Sequence, residues 1–297
     1  MGKFRGAFTA LVTPMRGGEV DDAALCELVE AQITAGIDGL VPCGTTGESA
    51  TLSLAEQLHV IDTVVKTTRG RVPVLAGAGS NNTQTAIDTT RACHELGVDG
   101  TLQVTPYYSK PPPAGLLAHF RAIADAAPLP VVLYNVPGRT ASDLSAKLVA
   151  ELAKHPRIVG IKEATGDMGR ASEIRELCGH DFDLLSGDDF SLLPFLAGGG
   201  DGVVSVVSNV LPGTIADLCR AARDDDWHRA KHLHRLHLPL TRALFAAPNP
   251  IPVKAAMALR GHCTADVRLP LVPLQDDSPE MSALRVVLDT LRKEEAR

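Results

Sequence analysis

The 297-residue sequence lacks several features that would assign it to a particular protein class. Basic residues are not in excess, since 29 Lys and Arg stand against 35 Asp and Glu, whereas nucleic-acid backbones require a basic surface. The six cysteines form no CxxC pair, which argues against a disulfide framework or a zinc site. No apolar run approaches the ~18 residues of a membrane span, and MGKFRGAFTA does not begin a signal peptide. We therefore expect a cytoplasmic, soluble protein with no nucleic-acid or membrane partner.

Apolar segments of strand length alternate with amphipathic segments of helix length along most of the chain. Such alternation favours a parallel sheet, and eight repeats favour closure into a (β/α)₈ TIM barrel. We predict this catalytic barrel over residues 1–224 and a C-terminal helical region over residues 225–297. The predicted strands are 7–12, 39–43, 73–78, 100–105, 130–135, 157–164, 182–187 and 201–208. The helices predicted after the eighth strand are 212–223, 226–246, 252–261 and 279–294.

The sixth predicted strand carries a lysine near its carboxyl end, where (β/α)₈ barrels place their active sites. Alternate side chains of a strand share a face, so Lys162 is predicted to point into the barrel between small residues. Val159, Ile161 and Glu163 are then predicted to face the surrounding helices. Burial disfavours the charged form of a lysine, and a neutral amine can attack a carbonyl. Alternatively, the lysine reaches solvent at the strand end or pairs with an acid.

The second predicted strand ends in the sequence CGTTGES, residues 43–49. Its glycines permit a tight turn, and successive backbone N–H groups in such a turn can bind an anion. The hydroxyls of Thr45 and Thr46 add further donors, which suits the carboxylate of a small keto acid. The other interpretation of this segment is a plain strand-to-helix turn.

All three tyrosines, Tyr107, Tyr108 and Tyr134, fall at or just beyond the ends of predicted strands. A tyrosine hydroxyl can relay protons, and Arg139 in the following loop has a planar guanidinium that suits a carboxylate. Taken singly, each tyrosine is compatible with a hydrogen-bonded core residue and the arginine with a surface ion pair. Their clustering with Lys162 at one face of the barrel favours a functional site.

The histidines of WHRAKHLHRLHLPL form a further cluster in the C-terminal region. His228 and His232 have a spacing at which two side chains on a helix can hold a metal ion, but no acidic or cysteine ligand completes the set. We expect this cluster on a helix surface or at a subunit contact.

These motifs together resemble the dihydrodipicolinate synthase and N-acetylneuraminate lyase family, over nearly the whole chain. The segments that carry the resemblance are AFTALVTPM, GTTGESATL, VTPYY, LYNVPGRT, IVGIKEATGD, LLSGDD, GVVSVVSNV and NPIPVK. They are most similar to the synthase branch. That branch condenses pyruvate with L-aspartate-4-semialdehyde through a Schiff base to give 4-hydroxy-tetrahydrodipicolinate, in the biosynthesis of diaminopimelate and lysine.

The resemblance implies four catalytic residues. Lys162 matches the lysine that forms the Schiff base with C2 of pyruvate. Tyr134, Thr45 and Tyr108 match the members of a proton relay, in which the tyrosine matching Tyr108 reaches the site of a neighbouring subunit. A homo-oligomer, a tetramer built as a dimer of dimers, is therefore expected.

The resemblance also implies the substrate-binding residues. Thr46 matches a residue that binds the carboxylate of pyruvate, and Arg139 one that binds the carboxylate of the semialdehyde. Gly187 and Val204 match backbone positions that line the pyruvate pocket. No metal or organic cofactor is implied, because the lysine itself supplies the covalent chemistry.

Two alternatives remain open, and one regulatory property can be predicted. A sister enzyme acting on a sugar acid, as lyase, aldolase or dehydratase, would share the lysine and tyrosine, and a non-catalytic barrel could bind a keto acid. Family members inhibited by L-lysine usually carry histidine on the helix that contains Leu54 and Gln57, and glutamate at the position of Thr85. Since these three side chains are uncharged, we expect weak or absent inhibition by L-lysine.

Overall fold

A computed structural model describes residues 4–295, with side chains described through residue 293. Eight parallel strands alternate with helices, as the sequence predicts. The strands are β1 Gly6–Ala10, β2 Gly39–Val41, β3 Leu75–Gly77, β4 Gly100–Val104, β5 Val131–Asn135, β6 Ile158–Glu163, β7 Asp183–Ser186 and β8 Gly202–Ser205. The helices are α1 Asp22–Thr34, α2 Leu54–Thr68, α3 Thr83–Glu95, α4 Pro113–Ala126, α5 Ala146–Ala153, α6 Met168–Cys178, α7 Leu192–Ala197, α8 Pro212–Arg223, α9 Trp227–Leu244, α10 Ile251–Leu259 and α11 Pro279–Glu295.

The strands form a nearly closed barrel in the order β2-β1-β8-β7-β6-β5-β4-β3. A bridge between Leu40 and Val74 joins the two ends of the sheet, supported by a hydrogen bond of 3.0 Å from Leu40 N to Pro73 O. The predicted (β/α)₈ TIM barrel is therefore confirmed. Each strand is shorter than predicted; the eighth ends at Ser205 because the chain then forms a turn of 3₁₀ helix over Val207–Asn209.

Two phenylalanines fill the lower interior of the barrel. Phe4 and Phe8 are fully buried, with rings in edge contact at 6.0 Å between centroids. Glycine leaves room for them, since a Cβ at Gly39 would lie 2.1 Å from the Phe8 ring and one at Gly100 would lie 2.6 Å from the Phe4 ring. Apolar side chains thus fill the barrel at the amino ends of the strands, and the active site is expected at their carboxyl ends.

The C-terminal helices share a core with the barrel. Helix α9 packs on α8 and α11, and one apolar cluster joins Leu11 of the chain after β1 to Val253 and Leu284 of the last helices. The ranges predicted from the sequence are 1–224 and 225–297. Residues 1–3 of the first range and 296–297 of the second lie outside the described residues. No helix within the described residues is long and apolar enough to cross a membrane.

One sequence expectation is wrong, and another holds only in part. Val131 pairs with Ile158 and Val132 with Gly160, so β6 contains an extra residue at Val159. This bulge reverses the alternation at one position, and Val159 packs against the interior cluster instead of the helices. In the histidine-rich helix, His228 and His232 are exposed, but His237 is fully buried.

Candidate active site

Strands β5 and β6 place Tyr134 and Lys162 side by side in the barrel. Each is 7% exposed, and the lysine Nζ lies 4.2 Å from the centre of the tyrosine ring. Lys162 forms no hydrogen bond or ion pair with any residue that the structure describes. It therefore neither reaches freely into solvent nor pairs with an acid, the two alternatives that the sequence left open. A buried amine without a carboxylate partner is suited to attack a carbonyl.

The absence of a side chain at Gly187 makes room for Lys162. A Cβ at this position would lie 2.9 Å from Lys162 Cε and 2.6 Å from Ala164 Cβ, closer than carbon atoms approach. The Gly187 amide donates to Glu163 O at 2.7 Å, which holds the chain after β7 against the end of β6. Gly187 thus lies against the lysine, and its expected part in lining a pyruvate pocket stays a prediction.

A polar network braces the two site strands on their outer face. Asn135, next to Tyr134, donates through Nδ2 to Glu163 at 3.0 Å and to Asp143 at 2.9 Å. Burial raises the pKa of Glu163, whereas the hydrogen-bonded guanidinium of Arg170 lowers the pKa of Asp143. Sequence reasoning assigned Glu163 to this face but did not find the network, whose partners come from four separate segments.

The loop after β2 has a strained backbone and close packing. Cys43 and Glu48, at its two ends, have positive φ of 54° and 56°, a conformation that non-glycine residues rarely adopt. A Cβ at Gly47 would lie 3.0 Å from both Cys43 N and Leu11 O, so any side chain there would press against two backbone atoms. Strain of this kind is commonly retained at functional sites.

The two threonines of this loop differ in environment. Thr46 is buried at 3% exposed, and its hydroxyl accepts a hydrogen bond of 3.0 Å from Asn249 Nδ2. Thr45 is half-buried. Among the residues from 4 to 293, no hydrogen bond joins the hydroxyls of Thr45, Tyr108 and Tyr134, so the relay among them stays a prediction.

A buried ion pair anchors the same loop to the C-terminal region. Lys254 of α10 donates to Glu48 Oε1 at 2.7 Å, and both side chains are fully buried. Glu48 Oε2 accepts from the backbone N of Arg268 at 3.0 Å. Sequence reasoning missed this pair. A signal was present, because α10 reads IPVKAAMAL, and a single lysine in an otherwise apolar helix requires a buried partner.

At the rim of the barrel, two predicted residues lie on segments that contact each other. The backbone N of Tyr108 donates to Thr140 O at 3.2 Å, and Thr105 Oγ1 donates to Thr140 Oγ1 at 3.1 Å. Arg139 precedes Thr140 on the short helix Pro137–Thr140. It is exposed, and its guanidinium has no partner among the described residues. Tyr108 is 89% exposed, with φ of 73°, and so points away from its own barrel core.

A buried carboxylate fixes the end of β8. Asp189 accepts from Ser205 Oγ and from the backbone N of Val206 at 2.9 Å, and burial raises its pKa to about 6. Val204, the predicted pocket residue next to Ser205, is 1% exposed in the interior cluster with Tyr134. No group of three or more His, Cys, Asp or Glu side chains within the described residues is placed to hold a metal ion.

Comparison with known proteins gives matches along nearly the entire chain. Residues 3–287 match the model of the Dihydrodipicolinate synthetase family. A protein of Nitratidesulfovibrio vulgaris (strain DP4) named 4-hydroxy-tetrahydrodipicolinate synthase is 53% identical over 287 residues, covering 96% of this chain and 98% of the relative.

Solved structures agree with these matches. The 4-hydroxy-tetrahydrodipicolinate synthase of Methylacidiphilum fumariolicum SolV superposes with a TM-score of 0.96 at 41% identity, covering 99% of this chain and 98% of that one. A dihydrodipicolinate synthase of Acinetobacter baumannii complexed with pyruvate gives a TM-score of 0.93 at 41% identity, covering 96% and 98% of the two chains.

Proposed function

Because the chain belongs to the dihydrodipicolinate synthetase family, we propose that it condenses pyruvate with L-aspartate-4-semialdehyde to form 4-hydroxy-tetrahydrodipicolinate. This is a lyase of the aldolase type that works through a Schiff base, in lysine and diaminopimelate biosynthesis. The observation that carries the proposal is the buried amine of Lys162, which has no carboxylate partner among the described residues and lies 4.2 Å from the ring centre of Tyr134. The relatives' shared name supports the identity of the reaction.

The first half of the reaction activates pyruvate. The neutral amine of Lys162 attacks C2 of pyruvate, and loss of water gives an imine. The imine nitrogen then acts as an electron sink while the methyl group loses a proton, which yields an enamine. Thr46, buried in the loop after β2, is suited to bind the pyruvate carboxylate together with backbone N–H groups of that loop. Gly187, which lies against Lys162, and Val204 are suited to line the pyruvate pocket.

The second half forms the carbon–carbon bond. The enamine carbon attacks the aldehyde of the semialdehyde, and Tyr134 passes a proton to the alkoxide that forms. The substrate's own amine then displaces Lys162 from C2 as the ring closes, which frees the enzyme. Arg139 is suited to hold the semialdehyde carboxylate, because its guanidinium is exposed at the rim and unpaired among the described residues.

A second copy of the chain fits this chemistry. Tyr108 is 89% exposed in a backbone conformation that a bulky residue adopts only under constraint. An aromatic side chain held away from its own core is suited to complete the proton relay of a neighbouring subunit together with Tyr134 and Thr45. The proposed active unit is therefore at least a dimer, within a dimer of dimers.

The decisive test is pyruvate-dependent consumption of L-aspartate-4-semialdehyde by wild type and by Lys162→Ala. We expect turnover by the wild type alone, and we expect borohydride with pyruvate to add a mass that maps to Lys162. Trapping without turnover would move the assignment to another aldehyde or a sugar acid. Absence of both, in correctly folded protein, would contradict a Schiff-base enzyme.

The second substrate is tested with Arg139→Ala. We expect the KM for the semialdehyde to rise by about 10- to 100-fold, since one charged hydrogen bond contributes about 1.5–3 kcal/mol. The pyruvate dependence of trapping should stay unchanged. Arg285→Ala is the matched control, because Arg285 is exposed and pairs only with Asp276 on the C-terminal surface. An unchanged KM in the Arg139 variant would assign the carboxylate to another group.

A further inference from the structure

Asn249 makes a single side-chain contact with the site. Its Nδ2 donates to Thr46 Oγ1 at 3.0 Å, across 203 residues of sequence. Its other polar atom, Oδ1, is buried and has no hydrogen-bond partner among the described residues. Within the part of the chain that the structure describes, the amide therefore has no second hydrogen bond that would stabilise the fold, and Thr46 is its one hydrogen-bond partner.

The contact determines what the Thr46 hydroxyl can do. A hydroxyl has one hydrogen to donate and two lone pairs with which to accept. The Asn249 amide group occupies a lone pair, and the hydroxyl donates to no described residue. A buried donor left without an acceptor costs free energy, unless a ligand supplies one. The hydrogen of Thr46 is thus held available for an anionic group in the barrel.

The residue that contacts Thr46 and the residue that anchors its loop come from the same part of the chain. Lys254, five residues after Asn249, forms the fully buried ion pair with Glu48, two residues after Thr46. The two contacts run in parallel between the segments 46–48 and 249–254. They hold the loop at two points, the hydroxyl of Thr46 and the side chain of Glu48, whose backbone has a positive φ.

We propose that Asn249 is a positioning residue that keeps Thr46 as a hydrogen-bond donor to the carboxylate of pyruvate. The buried ion pair between Lys254 and Glu48 holds the loop of Thr46 in this geometry. This inference rests on the proposed function, because it takes pyruvate as the ligand. The C-terminal region thereby contributes to substrate binding without touching the substrate.

The test compares Asn249→Asp with Asn249→Ala. An aspartate at this position accepts the hydrogen of Thr46 and adds a negative charge beside the substrate carboxylate. We expect the pyruvate concentration for half-maximal borohydride trapping on Lys162 to rise about ten-fold or more, with the maximal extent of trapping retained. The alanine variant, which only frees the hydroxyl to rotate, should show a smaller rise. The KM for the semialdehyde should remain within two-fold in both variants.

Two controls separate positioning from a general loss of structure. Asn82→Asp is a matched amide-to-acid change, at a helix N-cap where both residues serve equally, and should leave pyruvate trapping unchanged. On a Thr46→Val background, Asn249→Ala should have no further effect, because the hydroxyl on which it acts is gone.

The outcomes are distinguishable. Equal pyruvate dependence in wild type and in folded Asn249→Asp, as judged by circular dichroism, would overturn the positioning role and leave the proposed function standing. An additive effect of Asn249→Ala on the Thr46→Val background would also overturn it, since the asparagine would then act elsewhere. Failure of the wild type to trap pyruvate would instead refute the proposed function and this inference with it.

Discussion

Lys162 and Lys254 are both buried lysines, but strand β6 and helix α10 give them opposite surroundings. Lys254 is fully buried and donates to the equally buried Glu48 at 2.7 Å. Lys162 is 7% exposed, lies against the face of Tyr134 and has no ion-pair partner among the described residues. Burial by itself therefore does not identify a nucleophile. The absence of a carboxylate partner is the better indication of a nucleophile, because a lysine paired with a carboxylate is held in its charged form and cannot attack a carbonyl.

The largest effects should come from replacing each lysine with methionine, which keeps volume and removes charge. Lys162→Met should lower turnover by a factor of roughly 10⁴ or more, as loss of a nucleophile does. Its free energy of unfolding should stay within about 1 kcal/mol of the wild type, since no ion pair is broken. Activity assays and urea denaturation of the same preparation measure both quantities.

Lys254→Met should instead act mainly on stability, and should also raise the pyruvate concentration for half-maximal trapping, because the pair anchors the loop of Thr46. Removing one partner of a buried ion pair leaves an uncompensated charge and destabilises by about 3–5 kcal/mol. Adding Glu48→Gln should recover at least half of this loss, because the remaining group is then neutral. If the single Lys254 variant were as stable as the wild type, the distinction between the two buried lysines would fail.

A smaller effect is expected from Gly187→Ala, which leaves Lys162 in place but displaces it. The added methyl would lie 2.9 Å from Lys162 Cε, so the side chain must move. We expect the rate of imine formation with pyruvate to fall by about 10- to 100-fold, since reactive groups lose this much from a displacement of about 1 Å. Borohydride trapping over time measures it.

The matched control for Gly187→Ala is Gly213→Ala in helix α8. A Cβ there would make only an ordinary contact, at 3.5 Å from Ala35 O, and alanine is a better helix former than glycine. This variant should trap pyruvate at the wild-type rate. Equal rates in both variants would mean that Lys162 does not depend on the space at Gly187.

The two lysines also show which parts of the site can be predicted from sequence. Lys162 lies in a strand whose alternation is local, so its inward direction follows from its neighbours. Even there, the bulge at Val159 was not predicted, because it depends on pairing with β5. The partners Lys254 and Glu48 are 206 residues apart, and so are brought together only by the tertiary fold. The same holds for Asn249 and Thr46.

The smallest effect concerns another buried base without an acidic partner, His119. Burial lowers its pKa to about 4, and its Nδ1 shares a hydrogen bond of 2.9 Å with Thr83 Oγ1. The unfolded chain binds a proton near pH 6.5, whereas the folded chain does so only near pH 4. Stability from this histidine is therefore complete above pH 6.5 and is lost as the pH falls toward 4.

His119→Asn tests this dependence, because asparagine keeps a polar atom for Thr83 but does not titrate. At pH 5.5 the unfolded state of the wild type gains about 1 kcal/mol from protonating this histidine. The variant should therefore lose about 1 kcal/mol less stability than the wild type between pH 7.5 and pH 5.5, as measured by urea denaturation at both values. Parallel losses would contradict the lowered pKa of His119, because the histidine would then bind its proton equally well in the folded and the unfolded chain.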